Sequence, residues 1–352
     1  MKDTSMLLAK TDLPKDYIDM GIGESNAVRN SLLSNFRSLV RFTPYVDLSY
    51  FPTQGSKFIV DELSKYYCYK DYMEVITGAG AKQILFASFI AFKEMGYKRI
   101  VTHTPYWSSF PRMAELAGLE FSGDLFDTDD QSRDEDIILI VSPNNPCGTI
   151  TSPEIIKEYI QNGFKVIHDA AYESEIYGAK LDTMAFHPDV KVYSAAKQWG
   201  LSGLRFGWGT FFNEDLYNRV NEIVEATTSG TSVLSQAMVY EVLRLKTRDP
   251  VTYNKFVTDA FNEIQGNRAV FLNELSEDVF TKDSLYMADT GNSMFVWLKL
   301  MPGININDAK VRVIDGAAFG SPGWIRCNIA INLRDCILAG RRINELGIKN
   351  DD

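Results

Sequence analysis

At 352 residues the chain is too long for one small core; with ~150 residues as a usual domain size, it reads as two lobes or one large domain with an appendage. A composition of 45% hydrophobic, 12% aromatic and 23% charged residues is globular and excludes a mainly disordered or fibrous chain. Lys and Arg number 36 against 46 Asp and Glu, and the resulting charge of −10 argues against bulk binding of nucleic acid or anionic membrane, which needs clustered positive charge. A local basic pocket remains compatible with that sum.

Along the chain, the longest apolar run in the first twenty residues is four, Met6 to Ala9, too short for a signal-peptide core. No later stretch approaches the ~18 apolar residues of a membrane span. Short apolar runs then alternate with amphipathic stretches, the pattern of a mostly parallel sheet covered by helices. Strands are expected at 73–77, 99–103, 137–142, 165–168, 190–194 and 204–211, with helices at 82–95, 153–161 and 214–226. From about Ser232 the pattern turns helical, with long candidates at 235–245 and 251–275. An α+β tail follows, with strands at 293–298 and 324–331 and a closing helix at 334–346. The expected fold is α/β: a large domain over 45–245 with a mostly parallel sheet flanked by helices, and a smaller α+β domain made from both chain ends, 1–44 and 246–352. Cys68, Cys147, Cys327 and Cys336 form no Cys-x-x-Cys, and His103, His168 and His187 lack ligand spacing, so neither a disulfide framework nor a metal site is expected. The expectation is a soluble cytoplasmic protein with no membrane or nucleic-acid partner.

In such sheets ligands gather beyond the carboxyl ends of the strands, and five segments fall there. Thr77-Gly78-Ala79-Gly80-Ala81-Lys82 passes from a strand into a helix, where small residues let backbone N–H groups approach an anion. An ordinary tight turn explains it equally well, and Gln83 stands where a dinucleotide fingerprint needs its third glycine. Pro105-Tyr106-Trp107 offers an aromatic face to a flat ligand or simply caps a core. Ser142-Pro143-Asn144-Asn145-Pro146-Cys147-Gly148 fixes a turn after a buried strand and can hold an Asn toward a ring oxygen or a carboxylate.

Asp169-Ala170-Ala171-Tyr172 puts a carboxylate where burial is unfavourable unless a cation, such as a protonated ring nitrogen, pairs with it. The plain alternative is an Asp capping a helix from Ala170. The most specific segment is Ser194-Ala195-Ala196-Lys197-Gln198-Trp199-Gly200-Leu201-Ser202-Gly203-Leu204-Arg205-Phe206-Gly207-Trp208. There Lys197 lies in an apolar stretch, where desolvation lowers its pKa toward a nucleophilic amine, while Arg205 and Ser194 can clamp a phosphate.

In their order and spacing these segments resemble the class I/II aminotransferases, the fold-type I enzymes that use pyridoxal 5′-phosphate, from Ile18 to about Asn332. The resemblance implies an aminotransferase that moves an amino group from an α-amino acid to a 2-oxo acid by a ping-pong mechanism, with Lys197 carrying the cofactor as a Schiff base. It implies that Asp169 pairs with the pyridinium nitrogen and Tyr172 with the ring hydroxyl, and that Trp107 stacks on the ring. Ser194, Arg205 and the helix start Gly80-Ala81-Lys82 would hold the phosphate, and Asn145 is the Asn of the family's Asn-Pro-x-Gly. Trp324-Ile325-Arg326-Cys327-Asn328-Ile329, preceded by Gly316-Ala317-Ala318-Phe319-Gly320, is similar to the strand whose Arg grips the substrate α-carboxylate, so Arg326 and Asn145 would orient it. Gly21-Ile22-Gly23-Glu24 resembles the loop whose glycine, here Gly23, lies over the substrate. Tyr50-Phe51-Pro52-Thr53-Gln54-Gly55 resembles the segment whose Tyr reaches the phosphate in the partner subunit, which implies a homodimer and a cofactor contact from Tyr50.

Two features depart from the pattern: only about twenty residues separate Phe295 from Gly316, and Ala170 stands where many members carry Glu. Two other readings stay open. One is a lyase or decarboxylase on the same cofactor, since this scaffold hosts several outcomes; the other is a ligand-binding module without turnover.

Overall fold

The computed structural model describes residues 13–14, 16–35, 50–67, 74–125, 134–179, 187–289 and 292–348. Cys68, Met73, the domain boundary expected at 44/45 and most of the leading segment read for targeting signals lie outside them. The strands are β1 (Ile18–Asp19), β2 (Glu74–Gly78), β3 (Arg99–Val101), β4 (Glu120–Ser122), β5 (Asp136–Val141), β6 (Lys165–Asp169), β7 (Val190–Ser194), β8 (Gly207–Phe211), β9 (Phe295–Lys299), β10 (Val311–Arg312), β11 (Ile314–Asp315) and β12 (Trp324–Asn328). The helices are α1 (Asn26–Asn35), α2 (Lys57–Tyr67), α3 (Ala81–Glu94), α4 (Phe110–Leu116), α5 (Pro153–Gln161), α6 (Ala195–Gln198), α7 (Glu214–Thr228), α8 (Val233–Arg248), α9 (Pro250–Asn273), α10 (Lys282–Asp289) and α11 (Leu333–Ile348).

Seven strands form the main sheet in the order β2-β8-β7-β6-β5-β3-β4. All neighbours pair in parallel except β8, which runs antiparallel to both β2 and β7. The central strand β5, Asp-Ile-Ile-Leu-Ile-Val, is buried at every position, as a strand covered on both faces must be. On one face Ile137, Ile167 and Val192 pack with Ile84, Phe89 and Phe92 of α3 and with Val220 and Val224 of α7. On the other, Ile138, Ile140 and Val166 pack with Ile156 of α5. Each such side chain contributes about 1.5–3 kcal/mol on leaving water, so this sandwich is a rigid base for the loops at its carboxyl edge.

The helices start where the sequence supplies caps. The Ser152 hydroxyl accepts from Ile155 N ahead of Pro153, Asn213 from Leu216 N, and Asp249 from Thr252 N ahead of Pro250. Each proline stands at a position whose N–H has no helical acceptor.

Two smaller sheets stand apart from the main one. β9, β11 and β12 form an antiparallel sheet with β12 in the middle, and β1 pairs in parallel with β10, matching Ile18 with Val311. The N-terminal strand is thus joined to the C-terminal part of the chain. From α9, Asn267 donates to Ile329 O and Ile331 O, and Arg268 to Ser293 O and Phe295 O. These bonds tie the ends of β9 and β12 to the helix.

Some expected strands begin or end elsewhere, that at 293–298 for instance starting at Phe295. The strand expected at 204–211 starts at Gly207, because Ser202–Leu204 forms a 3-10 turn and Arg205 has φ 51, a left-handed conformation outside the strand region. The strand expected at 324–331 stops at Asn328, whose Oδ1 accepts from Ala330 N and turns the chain. The strand expected at 99–103 stops at Val101, shortly before Pro105, which has no N–H for a ladder. Helices α1, α2, α4, α6 and α10 and strands β1, β4, β10 and β11 had no counterpart among the expected elements. No helix among the described residues is long and apolar enough to cross a membrane, and they contain no metal-binding cluster of three or more His, Cys, Asp or Glu.

Candidate active site

A cavity of about 410 Å³ lies where the carboxyl ends of the parallel strands meet the N-terminal loop and β12. Its wall includes Gly23, Gly80, Ala81, Lys82, Trp107, Asn145, Asp169, Tyr172, Ser194, Lys197, Arg205 and Arg326. These are all the site residues expected from the sequence except Tyr50, which is 95% exposed and off this wall. The wall also contains Glu24 and Ser202, which sequence reasoning did not single out.

At one end the chain turns from β2 into α3 through Gly80, which has φ 89 and makes no side-chain cap bond to the helix. The first N–H groups of α3 therefore face the cavity as an anion-binding end. A Cβ on Gly80 would lie 3.0 Å from Arg205 Nη2, so the guanidinium crosses where only glycine leaves room. Gly207 is tighter still: its Cβ would meet Ala81 N at 2.3 Å and Gly80 C at 2.6 Å. Arg205 itself takes a left-handed φ, which is costly for a residue with a Cβ, and its Nη1 donates to Ser202 O at 3.0 Å. Lys82 adds a second cation; its Nζ lies 4.7 Å from the centre of the Trp107 ring and donates to Ser109 Oγ. Desolvation, helped by Arg205, lowers the Lys82 pKa.

In the middle stand Asp169, Tyr172 and Lys197. Asp169 ends β6, is buried, and accepts at Oδ1 from Ala171 N at 3.0 Å, so it closes a turn rather than capping a helix. Burial raises its pKa to about 6 against the hydrogen bond from Ala171 and the charge of Lys197. Tyr172 is buried with its ring edge-on to Phe295, and burial pushes its phenol well above the ordinary range. Lys197 sits in the short α6, its Nζ donating to Gly23 O and lying 5.8 Å from the Tyr172 ring centre. Desolvation first, then the charge of Arg326, lowers its pKa to about 8, with Glu24 pulling the other way.

At the far end, Arg326 on β12 is buried and its pKa is lowered by desolvation to about 10, so it stays cationic at neutral pH. Its Nη1 donates to Asn145 Oδ1 and its Nη2 to Gly21 O, both at 2.9 Å. The guanidinium carbon stands 4.1 Å from the centre of the Phe295 ring and 5.1 Å from that of Phe319. Its buried Nε has no hydrogen-bond partner among the described residues. The N-terminal loop is held over the site by Asn328 Nδ2, which donates to Ile22 O and Glu24 O. Glu24 in turn meets Ser202 Oγ at 3.4 Å and Arg29 Nη1 at 3.5 Å.

A cationic pocket for a phosphate, a buried carboxylate, a desolvated lysine and a buried arginine with a spare donor are the parts needed for carbanion chemistry at an amino acid. A family model described as Aminotransferase class I and II matches residues 46–336. Over 305 residues the chain is 26% identical to a probable aspartate/prephenate aminotransferase of Aquifex aeolicus (strain VF5), an alignment covering 77% of this chain and 75% of that one. It is 28% identical over 221 residues to alliin lyase of Allium cepa var. aggregatum, covering 56% of this chain and 46% of that one. Its fold matches that of an aspartate aminotransferase from Thermus thermophilus with maleate at a TM-score of 0.74 and 19% identity, over 94% of this chain and 92% of that chain.

The fold is that of the fold-type I transferases, and the chain belongs to the aminotransferase class I and II family. It is a pyridoxal 5′-phosphate-dependent aminotransferase. The residues present fit that cofactor. Asp169 is a buried carboxylate whose raised pKa calls for a cationic partner, and the start of α3, Lys82, Ser194 and Arg205 line one end of the cavity, where glycine at 80 leaves the Arg205 guanidinium room.

Proposed function

We propose that this cavity is where the enzyme transfers an amino group from an α-amino acid to a 2-oxo acid, with roles divided among its walls as follows. Gly80, Ala81, Lys82, Ser194 and Arg205 hold the cofactor phosphate, since a dianion matches the two cations and the open helix end there. Trp107 stacks on the ring, Asp169 keeps the ring nitrogen protonated, and Tyr172 and Asn145 donate to the ring oxygen. Arg326, with Asn145, takes the substrate α-carboxylate beneath the Gly23 loop. When bound, pyridoxal phosphate supplies an aldehyde that links to an amine and a protonated ring that withdraws electrons from the substrate Cα–H bond. Lys197, with an amine near 8, anchors the cofactor and then moves the proton at Cα, a task suited to a base poised near neutral pH. Burial of Asp169, Tyr172 and Arg326 keeps water from competing for those groups.

The observation that carries this reading is the convergence of twelve separately expected side chains and backbone turns, from five strand-end segments and both chain ends, on one cavity. The exposure of Tyr50 supports a homodimer in which it completes the phosphate site of the partner subunit. A cytoplasmic location and the division into domains 45–245 and 1–44 with 246–352 belong to the same proposal, the latter supported by the pairing of β1 with β10. The purified protein is expected to carry the absorbance band of the bound cofactor, and Lys197→Ala to lose it. In single turnovers with a panel of amino acids, stoichiometric oxo acid is expected. A band absent after reconstitution refutes the site, and release of ammonia, carbon dioxide or another leaving group in place of oxo acid refutes transfer.

A further inference from the structure

Behind the carboxyl edge of the main sheet lies a charged cluster that none of the roles above uses. Successive residues of a strand point to opposite faces, so His168 points away from the face that Asp169 occupies. Lys191 of β7 stands beside His168 in the parallel register and shares its face. There Lys191 Nζ meets Glu173 Oε2 at 2.6 Å, with both side chains 4% exposed. His168 is fully buried; desolvation and the Lys191 charge hold it neutral, and its Nε2 donates to Ser142 O at 3.3 Å.

The members of this cluster lie on or beside the segments that build the site. Ser142 opens the turn that delivers Asn145. Glu173 directly follows Tyr172, in a turn where Glu173 N donates to Ala170 O and Ala171 N to Asp169 Oδ1, both at 3.0 Å. Lys191 belongs to the strand that runs out to Ser194 and Lys197. The turn therefore passes from the cavity face to the opposite face between Tyr172 and Glu173, and Lys191 grips its far end. The Tyr172 ring meets that of Phe295 edge-on at 5.7 Å and that of Tyr177 at a tilt at 6.0 Å between centres, contacts that do little to fix where its hydroxyl points.

We propose that the Lys191–Glu173 ion pair is a positioning device for Tyr172, fixing from the opposite face of the sheet how far and at what angle its phenol reaches into the cavity. The inference rests on the assignment of Tyr172 to the cofactor ring. A buried ion pair is a poor source of stability, because desolvation cancels most of its attraction, but it tolerates little change in geometry. An apolar pair of the same size would fill the space as well and would leave the turn free to shift. A displacement of about 1 Å at a reacting group can lower turnover about 100-fold.

The test compares four holoproteins: the parent, Tyr172→Phe, Lys191→Met/Glu173→Met, and the triple variant. It reads the pH midpoint of the bound cofactor's absorbance change and the cofactor dissociation constant, with thermal melting alongside. The expected result is that the apolar pair melts near the parent, moves the spectral midpoint in the same direction as Tyr172→Phe, and weakens cofactor binding. Turnover is expected to fall about 10- to 100-fold, and the triple variant to differ little from Tyr172→Phe alone. If the apolar pair keeps the parent midpoint and affinity, or if its effects add to those of Tyr172→Phe, the pair is structural only and the proposal is overturned. Should the apolar pair not fold, Lys191→Arg, which keeps the charge and changes the reach, is read in its place; a shifted midpoint supports the proposal and an unchanged one overturns it. A parent protein with no cofactor band at all overturns the assignment of the site, and the positioning role with it.

Discussion

Replacing Arg326 with Lys keeps a cation on β12 and removes the planar fork. In the parent that fork spends two donors on Asn145 Oδ1 and Gly21 O at 2.9 Å and keeps a third, Nε, without a partner among the described residues. It also stands close to the rings of both Phe295 and Phe319. An ammonium cannot bind a carboxylate in two places while holding the loop, and it stacks less well on two rings. Losing one charged hydrogen bond removes about 1.5–3 kcal/mol, and a weaker ring contact about 1 kcal/mol more. At 1.36 kcal/mol per decade, a total of about 2.5–4 kcal/mol lowers kcat/KM by about 70- to 900-fold. The assay is stopped-flow single turnover with an α-amino acid and, in parallel, with the matching amine that lacks the carboxylate. The amine rate is expected to change less than about threefold, because it never used the fork. Equal losses for both substrates, or a loss below about threefold for the amino acid, would refute the assignment of Arg326 to the α-carboxylate.

Three further outcomes follow from the same geometry. In cofactor-free protein, Asp169 binds its proton more tightly folded than unfolded, with a pKa near 6 against 3.8, so its contribution to stability falls as pH rises from about 4 to 6. Asp169→Asn should therefore stabilise cofactor-free protein at pH 7.5 by on the order of 2–3 kcal/mol and have no such effect near pH 3.5, as read by urea denaturation; the same gain at both pH values would contradict the burial argument. Gly207→Ala drives a Cβ into backbone atoms 2.3 to 2.7 Å away that no rotamer change can move, so a loss of about 3 kcal/mol with weakened cofactor binding is expected, and an unchanged denaturation midpoint would refute the cradle. Tyr50→Phe should leave chain stability within about 0.5 kcal/mol yet weaken cofactor retention in the assembled protein; equal cofactor affinity would remove the contact across the dimer.

The segments that build the cavity were legible because each joins a buried apolar run to residues with special backbone chemistry. Asp136–Val141 followed by two prolines and two asparagines, or Val190–Ser194 followed by Lys197, shows a strand and its functional edge in adjacent residues. Helices such as α1 were not legible, since Asn and Ser interrupt their apolar face, and they form because the rest of the fold covers them. The strand expected from Leu204 begins three residues late because Arg205 bends its backbone to lay its guanidinium over Gly80, a partner more than a hundred residues away. Glu24 carried no signal in its own neighbourhood, and only folding brings it beside Ser202 and close enough to Lys197 to act on its charge. Nothing local in the sequence marks Lys191 or Glu173, and only the packing of the turn after β6 against β7 buries them together.

Local order along the chain therefore determined the alternating architecture, the cofactor chemistry and the residues proposed to take part, because periodicity and turn residues act over a few positions. Tertiary structure alone decided which groups face each other across the cavity, how far burial moves Asp169, Lys197 and Arg326 from their ordinary pKa values, and what holds Tyr172 from behind. Those properties depend on distances between segments remote in sequence and on the water excluded between them, and both are set only when the sheet closes against its helices and the two chain ends meet.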